Sequence, residues 1–161
     1  MKGLLLTSLW FQGLWFLAVL GREPWQWWTL ALVLLTCAIT LPRQRKPLLW
    51  CVGIALLGIV LDSVNLLAGL MVFSSPQLPV WLMALWLAFA WYSWWLLPIL
   101  HGYSKLIIVP VAAVAGAVSY LAGAQLDAVM LPFGNSLTAA VLLCQWGILM
   151  ALLLWLRGKL A

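Results

Sequence analysis

The chain has 161 residues, of which 67% are hydrophobic and 7% are charged, and its mean hydropathy is +1.15. A soluble domain of this length cannot hide so much apolar surface, because a small globule exposes a large fraction of its residues. The composition therefore predicts an all-α, polytopic membrane helix bundle. The net charge of +5 would suit nucleic acid, but the basic residues lie in short loops between apolar stretches, as topology signals do, so nucleic acid is not an expected partner.

Six apolar stretches are long enough to cross a hydrocarbon core of about 30 Å as helices. The turns between them are rich in Gly, Pro and charged residues, which interrupt helices. The sequence thus predicts one transmembrane domain over residues 1–161, with spans at about 4–20, 25–41, 48–73, 80–100, 105–125 and 136–156.

The distribution of cations predicts that both termini lie in the cytoplasm. With six spans, only Arg22 of the eight Lys and Arg residues falls on the outer side. An excess of cations on the inner side is the usual orientation signal. The predicted inner cations are Lys2, Arg43, Arg45, Lys46, Lys105, Arg157 and Lys159.

Two further features concern packing. The fifth stretch carries small residues at intervals of three and four, among them Ala112, Gly116 and Ser119, which favours close helix packing and predicts a central position in the bundle. Residues 127–135, which contain Pro132 and Gly134, are expected to form a loop, either at the surface or partly embedded in the membrane.

The third stretch contains a single acid, Asp62, near its predicted centre. A carboxyl group at the bilayer midplane costs about 2.5 to 3.5 kcal/mol on insertion scales, so Asp62 is expected to face protein or water. No Lys or Arg is predicted at the same depth. We therefore expect Asp62 to carry a proton and to donate it in a hydrogen bond to an uncharged neighbour or a bound ligand.

Other polar or amphipathic side chains are predicted within reach of Asp62, and unpaired polar groups are costly in hydrocarbon, so they are expected to converge on it. Trp86 has a second interpretation, as part of the lining of a slot for an acyl chain or an isoprenoid. Alternatively, the polar residues only form hydrogen bonds between helices that hold the bundle together. The predicted companions of Asp62 in a ligand-binding cluster are Gln12, Asn65, Trp86, Ser119, Tyr120 and Gln145.

Motifs for metal, nucleotide or hydrolytic chemistry are missing from the sequence. The one histidine, His101, is predicted at a helix end, and no His, Cys and carboxylate residues have metal-ligand spacing. Ser63 follows Asp62 on a helix and points about 100° away from it, which does not suit a nucleophile and its base. The sequence predicts no metal site and no cofactor.

Four segments carry a more specific pattern, read as Phe11-Gln12-x-x-Trp15-Phe16-x-Ala18-Val19-Leu20-Gly21, Gly58-x-x-x-Asp62-Ser63, Pro79-x-Trp81-Leu82-x-x-Leu85-Trp86-x-x-Phe89-Ala90 and Ser119-Tyr120-x-Ala122-Gly123. In these segments the chain resembles a family of small, Trp-rich inner-membrane proteins of Gram-negative bacteria, carried as a domain of unknown function. The resemblance implies a multi-pass protein of the bacterial inner membrane, with Gln12, Asp62, Trp86 and Tyr120 in the shared pattern. Similar proteins tend to be encoded near enzymes that modify membrane fatty acids, which implies a role connected with lipids.

These features favour a lipid- or acyl-chain-binding accessory protein of membrane lipid modification, with membrane lipids as partners and Asp62 as the polar anchor. A small proton-coupled transporter or channel is the first alternative, since Asp62 could change protonation as access alternates. A membrane-embedded lipid-modifying enzyme, with Asp62 as general acid–base and Tyr120 assisting, is the second. A structural subunit that binds other membrane proteins is the third.

Overall fold

The computed structural model describes residues 2–160, with side chains from residue 3 onwards. Over this part of the chain the fold is all-α, as predicted, and the only β contact is an isolated bridge between Val72 and Met130. Each helix is long and apolar enough to cross a membrane. The five helices are α1 (Lys2–Thr40), α2 (Arg45–Leu67), α3 (Val80–Leu100), α4 (Lys105–Gln125) and α5 (Gly134–Leu160).

The structure has five helices where six were predicted, because the first two predicted spans are joined in α1. Arg22 interrupts α1 with φ 47° and ψ −139°, and Pro24 follows two residues later. A continuous helix would separate Trp10 from Thr36 by about 39 Å. Instead, Trp10 Nε1 donates a hydrogen bond of 3.1 Å to Thr36 Oγ1. The two arms of α1, residues 2–21 and 23–40, therefore lie side by side as a helical hairpin.

The predicted third span is too long at its end. Helix α2 stops at Leu67, six residues before the predicted boundary at residue 73, and Gly69 then adopts a left-handed φ of 72°. The Leu70 N–H bonds to the carbonyl of Asn65 at 2.9 Å, which completes a Schellman motif. Asp62 consequently lies in the last two turns of α2, rather than at the middle of a span.

Helix α4 ends in the same way as α2. Asp127 takes the left-handed position with φ 57°, and the Ala128 N–H bonds to the carbonyl of Gly123 at 2.9 Å. The segments that follow the two helices then pair through the bridge of Val72 and Met130. The predicted loop at 127–135 is thus confirmed up to residue 133, after which Gly134 begins α5. Ala128 and Val129 of this loop are buried against the bundle.

The central helix is α3, not the predicted small-residue helix α4. Both α1 and α2 pack on α3, whereas α4 packs on α5, which also touches α3. The buried face of α3 combines Trp81, Trp86 and Trp91 with small residues such as Ala84 and Ala88. A helix with both large and small side chains on its buried face can receive neighbours on more than one side.

The helix ends gather on two opposite faces of the bundle. On one face, Lys46 Nζ donates to the carbonyl of Leu160 at 3.3 Å, and the Arg157 guanidinium lies 3.9 Å from the Trp94 ring centroid. On the other face, Arg22 Nη2 donates to the carbonyl of Leu126 at 2.6 Å. The first face, called the basic end below, thus joins the start of α2, the end of α3 and the end of α5.

The hairpin in α1 predicts an order of distances that can be measured with pairs of nitroxide labels. A continuous helix would place residue 36 about 39 Å from residue 10, and residue 25 only about 22 Å from it. In the hairpin, the pair at Trp10 and Thr36 is the closer one. Labels are placed on a background lacking Cys37, Cys51 and Cys144, and distances are read by electron paramagnetic resonance. A longer distance for the 10–36 pair than for the 10–25 pair would contradict the hairpin.

Candidate functional site

The carboxyl group of Asp62 is the centre of a polar cluster inside the bundle. Its side chain is 1% exposed. Trp86 Nε1 of α3 and Tyr120 OH of α4 both donate to Asp62 Oδ2 at 2.7 Å. Asn65 Nδ2, one turn further along α2, lies 3.4 Å from Asp62 Oδ1. Three uncharged donors thus contact Asp62, which is the only buried acid among the described residues.

These contacts differ from the predicted role of Asp62 as a hydrogen-bond donor. An indole N–H can only donate, so the contact with Trp86 makes Asp62 the acceptor. The sequence identified the residue and its burial, but not the direction of its hydrogen bonds. The expected uncharged neighbours are present as donors.

A pair of amides extends the cluster from α2 to α5. Asn65 Nδ2 donates to Gln145 Oε1 at 3.0 Å, and Gln145 Nε2 donates back to Asn65 Oδ1 at 2.7 Å. With the contacts of Asp62, this pair connects α2, α3, α4 and α5 through side-chain hydrogen bonds. Satisfied polar networks of this kind fix one arrangement of helices, since any shift leaves a buried polar group unpaired.

Two stacked tryptophans position the indole that contacts Asp62. Trp86 and Trp146 lie with ring centroids 5.4 Å apart and an interplanar angle of 10°. A Cβ added at Gly58 would overlap the Trp86 ring, and one added at Gly116 would overlap the Trp146 ring. The four residues therefore form a layer, Gly58–Trp86–Trp146–Gly116, in which each outer glycine lets a ring lie flat on a helix backbone. Asp62 follows Gly58 by one turn and so receives the Trp86 N–H.

The remaining predicted cluster members lie elsewhere. Ser119 Oγ accepts a hydrogen bond of 2.8 Å from Trp15 Nε1, which connects α4 to α1 instead of to Asp62. Gln12 is exposed on α1 and lines a groove described below. The prediction that Gln12 and Ser119 converge on Asp62 is therefore wrong, because Ser119 pairs with Trp15 and Gln12 is exposed in the groove.

Sequence reasoning missed the glycines and the second tryptophan of the layer. Gly58 and Gly116 lie on different helices, and their facing rings lie on two others, so no spacing within one segment relates them. The small-residue pattern of the fifth stretch was the available signal for Gly116. It indicates close approach but does not say that an aromatic ring is the partner.

A long open groove runs between the first arm of α1 and helix α4. Its volume is about 1160 Å³, and its floor is formed by Phe89 and Tyr92 of α3 and by Trp146 and Met150 of α5. A smaller cavity of about 70 Å³ adjoins the groove. The residues that line both spaces are Phe11, Trp15, Phe89, Ser119 and Trp146.

The small cavity brings the groove close to the polar cluster. Trp86 and Tyr120, the two donors to Asp62 Oδ2, both line it. Asp62 itself lies behind these side chains and borders a separate space of about 10 Å³. Asp62 thus positions residues that face the cavity, while its own carboxyl group is enclosed by protein.

The chain matches a known protein family. Residues 4–152 match the family described as Protein of unknown function (DUF2878), and the chain belongs to this family. This confirms the resemblance to a family of unknown function that the four sequence segments indicated. No curated protein and no solved structure matches the chain.

The ring layer predicts that Gly58→Ala and Gly116→Ala each destabilise the protein. A methyl group at either position overlaps a buried indole, and overpacking of this kind costs about 1–3 kcal/mol. Gly53→Ala is the matched control in α2, since nothing lies within 4 Å of a Cβ there, and removing a helical glycine stabilises by about 0.5–1 kcal/mol. Thermal unfolding in detergent micelles measures the difference. Equal unfolding temperatures for Gly58→Ala and Gly53→Ala would refute the layer.

The hydrogen bond between Tyr120 and Asp62 predicts a large coupling in a double-mutant cycle. Tyr120→Phe and Asp62→Ala are each expected to destabilise by about 1–3 kcal/mol, because the first removes one of the two donors to Asp62 Oδ2 and the second leaves the buried Trp86 and Tyr120 donors unpaired. Once Asp62 is gone, removing the Tyr120 hydroxyl should cost much less, giving a coupling of about 1 kcal/mol or more in unfolding free energy.

Tyr92→Phe supplies the control for this cycle, since the Tyr92 hydroxyl bonds to Ser8 at 2.9 Å and not to Asp62. Its effect should add to that of Asp62→Ala within about 0.5 kcal/mol. Additive effects of Tyr120→Phe and Asp62→Ala would mean that the two groups are not bonded in the membrane.

Proposed function

We propose that this member of the DUF2878 family is a multi-pass protein of the bacterial inner membrane that binds an acyl chain of a membrane lipid in the groove between α1 and α4. The observation that carries the proposal is the groove itself, which is large, open at the side of the bundle and almost wholly apolar in its lining. Such a protein would act as an accessory to membrane lipid modification by presenting or retaining a lipid.

The proposed topology has six crossings, with each arm of α1 counted as one. The Trp10–Thr36 hydrogen bond supports this, since each arm then runs between the two faces of the bundle. The turn at Arg22 lies on the face opposite the basic end. The cations near residues 43–46, at Lys105 and at residues 157–159 would face the cytoplasm, in keeping with the usual distribution of positive charge.

The dimensions of the groove suit an acyl chain. Its lining on α4 runs from Ile107 to Leu126, and the part from Ile107 to Ser119, where the hydrogen bond from Trp15 crosses it, rises by about 18 Å in helical geometry. The whole hydrocarbon core of a bilayer is about 30 Å thick, so one chain from a single leaflet fits within this length. The volume of about 1160 Å³ is slightly above the range of about 300–1,000 Å³ that is usual for small-molecule sites.

The position of the groove also favours a lipid over a water-soluble ligand. It opens between helices along their length, where the bilayer would surround the protein, and both α1 and α4 carry exposed apolar residues such as Phe16 and Val111 at its rim. A lipid chain could enter sideways without crossing water. Its polar contacts within the groove would be Gln12 and Ser119, with Tyr120 in the adjoining cavity.

Asp62 takes a positioning role in this proposal. Its carboxyl group is enclosed, and it holds the Trp86 indole and the Tyr120 hydroxyl that face the cavity beside the groove. Asp62 is therefore not the polar anchor of the ligand in this proposal, and it acts by fixing the positions of these two side chains.

The proposal predicts that filling the groove displaces lipid. Ala115 of α4 lines the groove, and Ala115→Phe should reduce labelling of the protein by a phospholipid with a photoreactive group in its acyl chain. Val114→Phe is the control, because Val114 is the preceding residue of α4 and is 52% exposed, but it does not line the groove. Labelled peptides are identified by mass spectrometry. Equal labelling of α1 and α4 peptides in both variants would contradict binding in the groove.

A further inference from the structure

We infer that the lipid in the groove is an anionic phospholipid whose head group lies at the basic end of the bundle. This rests on the proposed function and specifies its ligand. The groove reaches that end of the molecule, because Leu100 at the end of α3 and Tyr103 in the following turn both line it. A chain placed in the groove would run from there towards Ser119 and Trp15.

Several cations lie at this end of the bundle, and Lys105 is the one nearest in the chain to the residues that line the groove. Lys105 lies two residues from Tyr103 and two from Ile107, both of which line the groove, and its side chain is exposed. His101, next to Leu100, has its Nε2 within 3.2 Å of the position of a Cβ at Gly158. That contact brings the last turn of α5, with Arg157 and Lys159, to the same end.

The acidic side chains lie elsewhere. Glu23 follows the turn in α1, Asp127 follows α4 at the opposite face, and Asp62 is enclosed within the bundle. A head group at the basic end would therefore lie beside Lys105, at the end of the bundle that carries cations and no acidic side chain. That charge pattern complements a phosphodiester with a net negative charge, and a zwitterionic head group gains less from it.

The opposite end of the groove is closed by contacts between α1 and α4. Arg22 Nη2 donates to the carbonyl of Leu126, which lines the groove, at 2.6 Å. Trp15 Nε1 donates to Ser119 Oγ at 2.8 Å further along the same pair of helices. Because these hydrogen bonds cross from one wall to the other, the open part of the groove lies towards Leu100 and Tyr103. Tyr103, which is 67% exposed, is the kind of aromatic residue that occurs at the level of lipid head groups.

The test compares two phospholipids with identical acyl chains, phosphatidylglycerol and phosphatidylcholine, by native mass spectrometry of the full-length protein released from nanodiscs. The wild-type protein should retain phosphatidylglycerol preferentially. Lys105→Gln should reduce that preference by about fivefold, as expected for loss of one cation near an anionic lipid. Lys105→Arg should keep it. Arg43→Gln is the matched control, because it removes a cation from the same end of the bundle at a position whose chain neighbours do not line the groove, and it should leave the preference unchanged.

The outcomes separate this inference from the proposed function. Equal retention of the two lipids, still reduced by Ala115→Phe, would overturn the head-group inference and leave acyl-chain binding intact. Retention of neither lipid would overturn the proposed function as well. If Arg43→Gln lowered the preference as much as Lys105→Gln, the selectivity would arise from overall charge and not from the end of the groove, and the inference would be wrong.

Discussion

The burial of one carboxyl group constrains the arrangement of four helices. Asp62 lies where water does not reach it, so each of its oxygens needs a donor from the protein. Trp86 and Tyr120 come from α3 and α4, and Asn65 links the same site to Gln145 of α5. A shift of any of these helices would leave a polar group unpaired in an apolar interior. The carboxyl group thus fixes the bundle through neighbours that carry no charge.

The ring layer is the steric counterpart of this polar constraint. Trp86 donates to Asp62 with its ring against the backbone of α2, and the absence of a side chain at Gly58 allows that approach. Trp146 stacks on Trp86, and the other face of its ring packs against the backbone at Gly116. The same two aromatic side chains form part of the wall of the cavity beside the groove. Packing in the core and the shape of the candidate binding site therefore depend on the same contacts.

Much of this could be predicted from single stretches of sequence, because hydropathy and charge are local properties. The all-α fold, the burial of Asp62 and its grouping with Asn65, Trp86, Tyr120 and Gln145 follow from the cost of polar groups in hydrocarbon. The end of α2 could not be predicted in this way, since residues 68–73 continue the apolar run beyond the left-handed turn at Gly69. The groove could not be predicted from single stretches either. It arises because α1 and α4 meet mainly at one end, through Arg22 and Trp15. Contacts between distant segments decide both the partner of Ser119 and the central position of α3.

The most direct test of the account is a cryo-electron microscopy map of the protein in a lipid nanodisc. The account predicts a single elongated density between the first arm of α1 and α4, in contact with Phe11, Trp15 and Ala115, with its wider part at Lys105. A map in which α1 packs against α4 along its whole length, with no space between them, would contradict it.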